Sequence, residues 1–163
     1  MVKECIYKTN NKSLSIILNE KVFKPTGTSR ELIKATVNNI EKPGKLLDLG
    51  CGSGFVGLAL YLNGKLIPPL YASDLNEDSV NLLKKNALRN NFKCIVNKGS
   101  IFDPWQNEKF DYIVNDISGI SDEIAPISPW FKETSCMAGK DGTELVVKAL
   151  EKSPQYLNNG GKF

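Results

Sequence analysis

Residues Lys45–Gly57 read KLLDLGCGSGFVG, and the fold turns on this stretch. Leu46 and Leu47 lead into a carboxylate at Asp48. Glycines follow at alternate positions, Gly50, Gly52 and Gly54, and then an apolar run with helical spacing, Phe55 to Leu62. That order is strand, tight turn, helix. Glycine admits positive φ and lets a ligand come close to the main chain. A helix start directs free N–H groups at whatever sits on the turn. The stretch therefore reads as a cradle for a small molecule.

Two frames compete for that molecule. Gly52-x-Gly54-x-x-Gly57 fits the dinucleotide pattern GxGxxG, a weak signal by itself. The earlier frame, Asp48-x-Gly50-x-Gly52-x-Gly54, puts a carboxylate two residues before the first glycine, where it would repel a pyrophosphate. S-adenosylmethionine (SAM) has no phosphate and carries a sulfonium and an ammonium, so negative charge beside it is favourable. Asp74 closes YASD, 20 residues after Gly54. A carboxylate there can accept both hydroxyls of a ribose. The same spacing serves a nicotinamide nucleotide, so Asp74 supports a nucleoside without choosing between the cofactors.

Outward from the motif, strands and helices alternate. Leu14–Leu18 and Val22–Phe23 around a polar turn suggest a small hairpin. A helix capped by Ser29 runs to about Ile40, with Leu32, Ile33, Val37 and Ile40 on one face, and Pro43-Gly44 stops it. Leu70–Ser73, Cys94–Val96 and Phe110–Val114 read as further strands. Asn76–Asn90 reads as a helix with Val80, Leu83 and Ala87 inward and Leu88 at the edge of that face. Asp116–Gly142 is a long irregular segment, a length that usually serves function. Thr143–Leu157 is a helix with a possible break at Pro154, Asn158–Gly161 a turn, and Lys162-Phe163 the start of a fifth strand. The expected fold is α/β, a Rossmann-like doubly wound parallel sheet. Residues 1–44 form a lead-in and 45–163 the cofactor-binding domain. Ligands in such sheets bind at the carboxyl ends of the strands. Asp48, Asp74, Ser100 and Asn115 all fall at or just past those ends.

Composition narrows the class. At 163 residues one domain is expected. A net charge of +3, carried mostly by lysine, is too weak to argue for nucleic acid, and the two arginines, Arg30 and Arg89, leave few bidentate phosphate contacts. Cys5, Cys51, Cys94 and Cys136 form no CxxC pair, so reduced thiols in the cytoplasm are the default, with neither metal nor disulfide. The absence of histidine removes the commonest general base and metal ligand. No apolar run approaches the roughly 18 residues of a membrane span.

DLGCGSG closely resembles motif I of the class I SAM-dependent methyltransferases. From Val22 onward the chain is most similar to those with a methyltransferase "small" domain, the release-factor glutamine methyltransferase group (HemK/PrmC). VFKPTGTSRELI resembles that group's segment before motif I, SDLNEDSV its ribose motif, GSIFDPW its adenine loop, FDYIVN its strand into the catalytic loop, and GKDGTEL a later glycine- and acid-rich segment. The resemblance implies SAM as cofactor, held by Asp48, Gly50, Cys51, Gly52 and Gly54 of motif I. Asp74, Leu75, Ser100, Ile101 and Asn115 complete the set. It implies methyl transfer to an amide or amino nitrogen, with a protein glutamine as one acceptor. A nucleobase of rRNA or tRNA, a small metabolite, or a SAM-binding module without activity are the other readings. Protein or RNA substrates fit these; the oligomeric state is left open.

The chain departs from the group where specificity resides. The group carries Asn-Pro-Pro-Tyr; this chain carries Asn115-Asp116-Ile117-Ser118. In the group, the Asn side chain and the next carbonyl accept hydrogen bonds from a planar NH₂, and the aromatic residue stacks on the target. Such catalysis is mostly positioning and needs no histidine. Asn115 preserves half of that arrangement. Asp116 is a second acceptor, a base or a turn residue. Trp130 or Phe131 can supply an aromatic face, or belong to core or surface. Ser100 stands where the group holds Asp or Asn against adenine, with Asp103 as a substitute or a turn residue before Pro104. The group's fold has seven strands, so the expectation is a C-terminally incomplete sheet, its late strands supplied by a longer protein or its edge covered by a partner.

Overall fold

The computed structural model describes residues 3–9, 12–128 and 136–163. In chain order the elements are β1 (Lys3–Thr9), β2 (Lys12–Leu18), α1 (Gly27–Asn39), β3 (Leu46–Leu49), α2 (Phe55–Leu62), β4 (Leu70–Asp74), α3 (Glu77–Arg89), β5 (Cys94–Lys98), β6 (Phe110–Asn115), α4 (Glu144–Tyr156) and β7 (Leu157–Lys162). Five strands form a parallel sheet in the order β5-β4-β3-β6-β7, and β1 and β2 form a separate antiparallel pair. The strand order reverses between β3 and β6. This is the expected doubly wound α/β fold.

All four residues of β3 are fully buried, which a central strand covered on both faces requires. Side chains alternate across a strand. Leu46 accordingly joins a core under the α1, α2 and α3 side, with Leu58, Leu70 and Leu83. Leu47 and Leu49 join a second core with Phe102, Trp105, Phe110 and Ile113, against which Tyr156 at the end of α4 packs. Leu14 and Ile16 of β2 and Ile33 of α1 belong to the first core, so the lead-in shares the apolar centre of the sheet.

Several local expectations need correction. The hairpin pairs β1 with β2, from Lys3↔Leu18 to Thr9↔Lys12, and Val22–Phe23 is not a strand. Of the apolar residues of β1 only Cys5 and Tyr7 pack inward, with Ile6 exposed between them and Glu4 and Lys8 flanking, so the strand looks like a polar leader in sequence. Thr26 rather than Ser29 caps α1. Leu88 is exposed, while Leu82 is buried on α3. Pro154 does not interrupt α4, because the Ser153 hydroxyl donates to the Leu150 carbonyl at 3.0 Å, the acceptor that the proline leaves empty. Asn158–Gly161 lies inside β7, where the pairing with β6 shifts register between Leu157 and Lys162.

Candidate active site

The cradle sits at the carboxyl end of β3, where the strand order reverses. Gly50, Gly52 and Gly54 all have positive φ, at 69°, 51° and 82°. A Cβ on Gly50 would come within 2.9 Å of the Ile117 backbone, whereas one on Gly52 would meet nothing closer than 3.9 Å. Gly50 is thus required by packing, and Gly52 leaves open space for a ligand. The turn amides are already committed. Gly50 and Cys51 donate to the Ser73 carbonyl at 2.9 and 3.1 Å, Gly52 donates to Asp74 Oδ2 at 2.8 Å, and Gly54 donates to the Cys51 carbonyl at 2.7 Å. A pyrophosphate on this turn would find four of its donors occupied, which disfavours the dinucleotide frame on structural grounds.

Asp48 is fully buried. Its Oδ2 accepts from the Gly57 amide at 2.9 Å, so it caps the first turn of α2 from the neighbouring strand, a place that suits a negative group. Its Oδ1 has no hydrogen-bond partner. Burial first, then the neighbouring Asp116 and Asp74 carboxylates, push the Asp48 carboxyl up to about 8, with the Gly57 bond opposing. A buried acceptor without a partner is costly unless a ligand supplies a donor.

Asp74 holds two amides, Gly52 through Oδ2 and Asn76 through Oδ1 at 2.9 Å. Burial raises its carboxyl pKa, and these amides and the Ser79 hydroxyl pull it down. Cys51 lies buried in the turn, and burial, then Asp74 and Asp48, keeps its thiol well above the usual range. Leu75, 63% exposed, stands beside the mouth. Ile101 adopts a left-handed φ of 47°, uncommon for a β-branched residue, with its carbonyl accepting from Ser73 Oγ at 3.3 Å. Gly99 donates to the Asp74 carbonyl at 3.0 Å, which ties the loop carrying Ser100 and Ile101 to β4.

Together these residues wall a cavity of about 300 Å³, at the small end of the range for small-molecule sites. Asp48, Asp74 and Asp116 line it, and among the described residues no lysine or arginine does. None of the three carboxylates is in an ion pair among the described residues. Of the residues singled out in the sequence, Gly50, Cys51, Gly52, Leu75, Ser100 and Ile101 also line it; Gly54 and Asn115 are not among its walls. Asn115 ends β6 beside Leu49, and its Oδ1 accepts from the Ile117 amide at 3.0 Å. Asp116 does face the cavity, and its Oδ2 accepts from the Ser29 hydroxyl at 3.0 Å. Burial raises the Asp116 carboxyl pKa, with Ser29 opposing.

Sequence reasoning missed Ser29 as a site residue, since a serine in a helix's first turn reads as a cap. It also missed Cys136 and Met137, which line the cavity from the later part of the irregular segment. Ser118 donates to the Cys136 carbonyl and holds that return in place. Trp130 and Phe131, the candidate aromatic faces, lie outside the described residues. Among the described residues no group of three or more His, Cys, Asp or Glu is placed to hold a metal, and no helix is long and apolar enough to cross a membrane.

A doubly wound α/β domain with an acid-lined cradle at its strand switch defines a class of cofactor-binding domain. The chain belongs to the methyltransferase small domain family, whose sequence model matches residues 25–116. Among curated relatives, a release factor glutamine methyltransferase of Geobacter sulfurreducens is 23% identical over 91% of this chain and 54% of its own length. A release factor glutamine methyltransferase of Aquifex aeolicus is 31% identical over 86% of this chain and 52% of its own length. The chain thus spans about half the length of these relatives. In fold it is similar to a 16S rRNA methyltransferase of T. thermophilus solved with AdoMet and guanosine, with a TM-score of 0.72 and 16% identity, over 96% of this chain and 39% of that one.

Proposed function

We propose that this chain is the SAM-binding catalytic domain of an N-methyltransferase acting on an amide or amino nitrogen. One observation carries the reading: the buried, unpartnered Oδ1 of Asp48 at a cavity that, among the described residues, has three carboxylates and no basic residue. Such a site favours a ligand that brings cationic N–H donors, and it disfavours phosphate. Asp48 would take the ammonium end of SAM and Asp74 the ribose hydroxyls. The open face of Gly52 would admit the main body of the cofactor, and Leu75 and Ile101 would flank adenine, with Ser100 at its edge. When bound, SAM supplies an electrophilic methyl group on its sulfonium. The protein's part is to place an acceptor nitrogen in line with that methyl and to exclude water. Asp116 and the turn held by Asn115 face that work from the end of β6.

The names of the curated relatives favour a protein substrate, with the glutamine carboxamide as one acceptor. An RNA base or a small metabolite is the alternative. A second reading, a SAM-binding module without transfer, is favoured by one feature: the Asn115 carboxamide is engaged by Ile117 instead of facing the cavity.

The test has two stages. Calorimetry with S-adenosylhomocysteine should show one site per chain; absence of binding overturns the cofactor assignment. Incubation with methyl-tritiated SAM and a cell extract should then label protein. Label confined to RNA or small molecules would move the substrate class, and binding without label would favour the inactive module.

A further inference from the structure

Asn115 and Asp116 present different chemistry to the cavity from that of two neutral acceptors. The Asn115 oxygen is occupied by a backbone amide. The group that reaches the cavity is a carboxylate, held by a single hydroxyl from α1. At 118 a serine bonded to the Cys136 carbonyl offers no flat face for a planar amide. A carboxylate differs from a carbonyl in two ways: it attracts a cation, and it can take a proton.

We propose that the methyl acceptor is a primary amine that arrives as an ammonium, such as a lysine side chain, and that Asp116, oriented by Ser29, binds it and removes its proton. This rests on the SAM reading above. An ammonium has no lone pair and cannot accept a methyl group. Transfer of one N–H proton to Asp116 exposes the lone pair. The nitrogen then forms a bond to the methyl carbon while the carbon–sulfur bond breaks, and its electron pair stays on sulfur as a neutral thioether. The methylated nitrogen leaves as an ammonium, and Asp116 returns its proton to water. A carboxamide acceptor would need no such base.

The groups facing Asp116 fit this role. Ser29 comes from α1, Asp48 from β3 and Asp74 from the end of β4; the thiols of Cys51 and Cys136 line the same cavity. Arg30, next to Ser29, is turned to the Phe55 ring at 5.3 Å and the Cys5 sulfur at 3.6 Å. Among the described residues no cation in the cavity walls competes for Asp116. Burial lifts its carboxyl pKa, in the direction that makes it a better base.

The test begins with S-adenosylhomocysteine calorimetry on the full chain and on Asp116→Asn. Loss of binding to the unaltered chain would overturn the cofactor reading itself. With the product bound, n-butylammonium, which mimics a lysine side chain, should bind at least about tenfold more tightly than propionamide, which mimics glutamine. Asp116→Asn should erase that preference while keeping S-adenosylhomocysteine affinity, which also shows that it folds. Methyl-tritiated SAM is then offered with two peptides that differ only in a central lysine or glutamine. Acid hydrolysis should leave the label as involatile methyl-lysine. Volatile methylamine, the product of a methylated carboxamide, would overturn the proposal, as would failure to label either peptide or equal binding of the two mimics. Asp116→Asn should lower transfer roughly 100-fold at neutral pH and recover at alkaline pH, where free amine accumulates. Ser29→Ala should lower transfer less than Asp116→Asn does and move the rising limb of the pH profile upward. A defect in Asp116→Asn that stays constant with pH overturns the base assignment.

Discussion

The side-chain amide of Asn86 donates to the Ser53 carbonyl at 2.8 Å, from the interior of α3 into the glycine turn. The same carboxamide pairs with the Ile17 backbone, accepting from its N–H at 2.8 Å and donating to its carbonyl at 3.1 Å. Asn90, one helical turn on, repeats the pairing with Ser15. Residues at i and i+4 on a helix thus match positions at i and i+2 on a strand edge, and α3 acts as an extra strand toward β2. Asn86 has no exposed surface, so its three side-chain hydrogen bonds are shielded from water.

Replacing Asn86 with alanine should therefore be expensive. It strands the Ile17 N–H and carbonyl and the Ser53 carbonyl, for a loss of about 2–4 kcal/mol in urea unfolding. Asn90→Ala, at a more open position, should lose about 1 kcal/mol. Equal losses at the two positions would show that the contact to the turn adds nothing.

Gly52→Ala and Gly57→Ala should separate binding from folding. A Cβ at 52 has room, so the main cost is its left-handed φ, about 1 kcal/mol. It would project into the space meant for the cofactor and should weaken S-adenosylhomocysteine binding by roughly tenfold or more. A Cβ at 57 would lie 2.7 Å from Asp48 Oδ2 and 2.8 Å from Leu70, so this variant should lose stability first. Thermal melts with and without ligand distinguish the two.

Asp48 should govern the response to pH. Its carboxyl is raised from 3.8 to about 8, so between those values the folded state holds a proton that the unfolded chain has released. Stability should fall as pH rises through this window and level off above it. Asp74 and Asp116, also raised, add to the fall at its acid end. Asp48→Asn should flatten the profile of melting temperature against pH. A cation on Asp48 favours its ionised form, so ligand affinity should rise toward pH 8 and binding should release protons, seen as a buffer-dependent heat in calorimetry.

Asp74→Ala should weaken cofactor binding by more than the loss of a ribose contact, because it also frees the Gly52 and Asn76 amides. Asp74→Asn keeps one acceptor oxygen and should fall between. Hydrogen exchange at Gly52 and Asn76 should be faster in the alanine variant; unchanged exchange would count against Asp74 as the organiser of the turn.

Asn115→Asp tests what the end of β6 needs. Aspartate can accept from the Ile117 amide as asparagine does. If the residue works by shaping the turn, transfer should survive in Asn115→Asp and fall in Asn115→Ala, with S-adenosylhomocysteine affinity within a few fold in both. Loss in both variants would place the carboxamide on the acceptor itself.

Much of the architecture was legible because it is written in short-range pattern. Leu46–Leu49 and Leu70–Asp74 are short apolar runs with a carboxylate at or next to their end, and Asn76 followed by an acidic first turn marks the start of α3. The β1 strand escaped notice because its inward residues are few, and the course of β7 because glycines and asparagines there bulge within a strand. Asn86 went unread: a polar residue on an apolar helix face points to a partner without naming it, and Ile17 lies 69 residues away.

By itself the sequence determined the alternation of strands and helices from β3 to β6, the glycine turn and the carboxylates at or near the strand ends. Hydrophobic period and backbone permissiveness act over a few residues, and the chain carries them openly. Only the tertiary structure decided which way those groups work. Packing β6 beside β3 brings Ile117 onto Gly50 and turns Asp116, rather than Asn115, into the cavity. Docking α1 over the same edge delivers Ser29 to Asp116 across 87 residues of sequence. Burial leaves one oxygen of Asp48 without a partner, and burial is a property of the assembled fold.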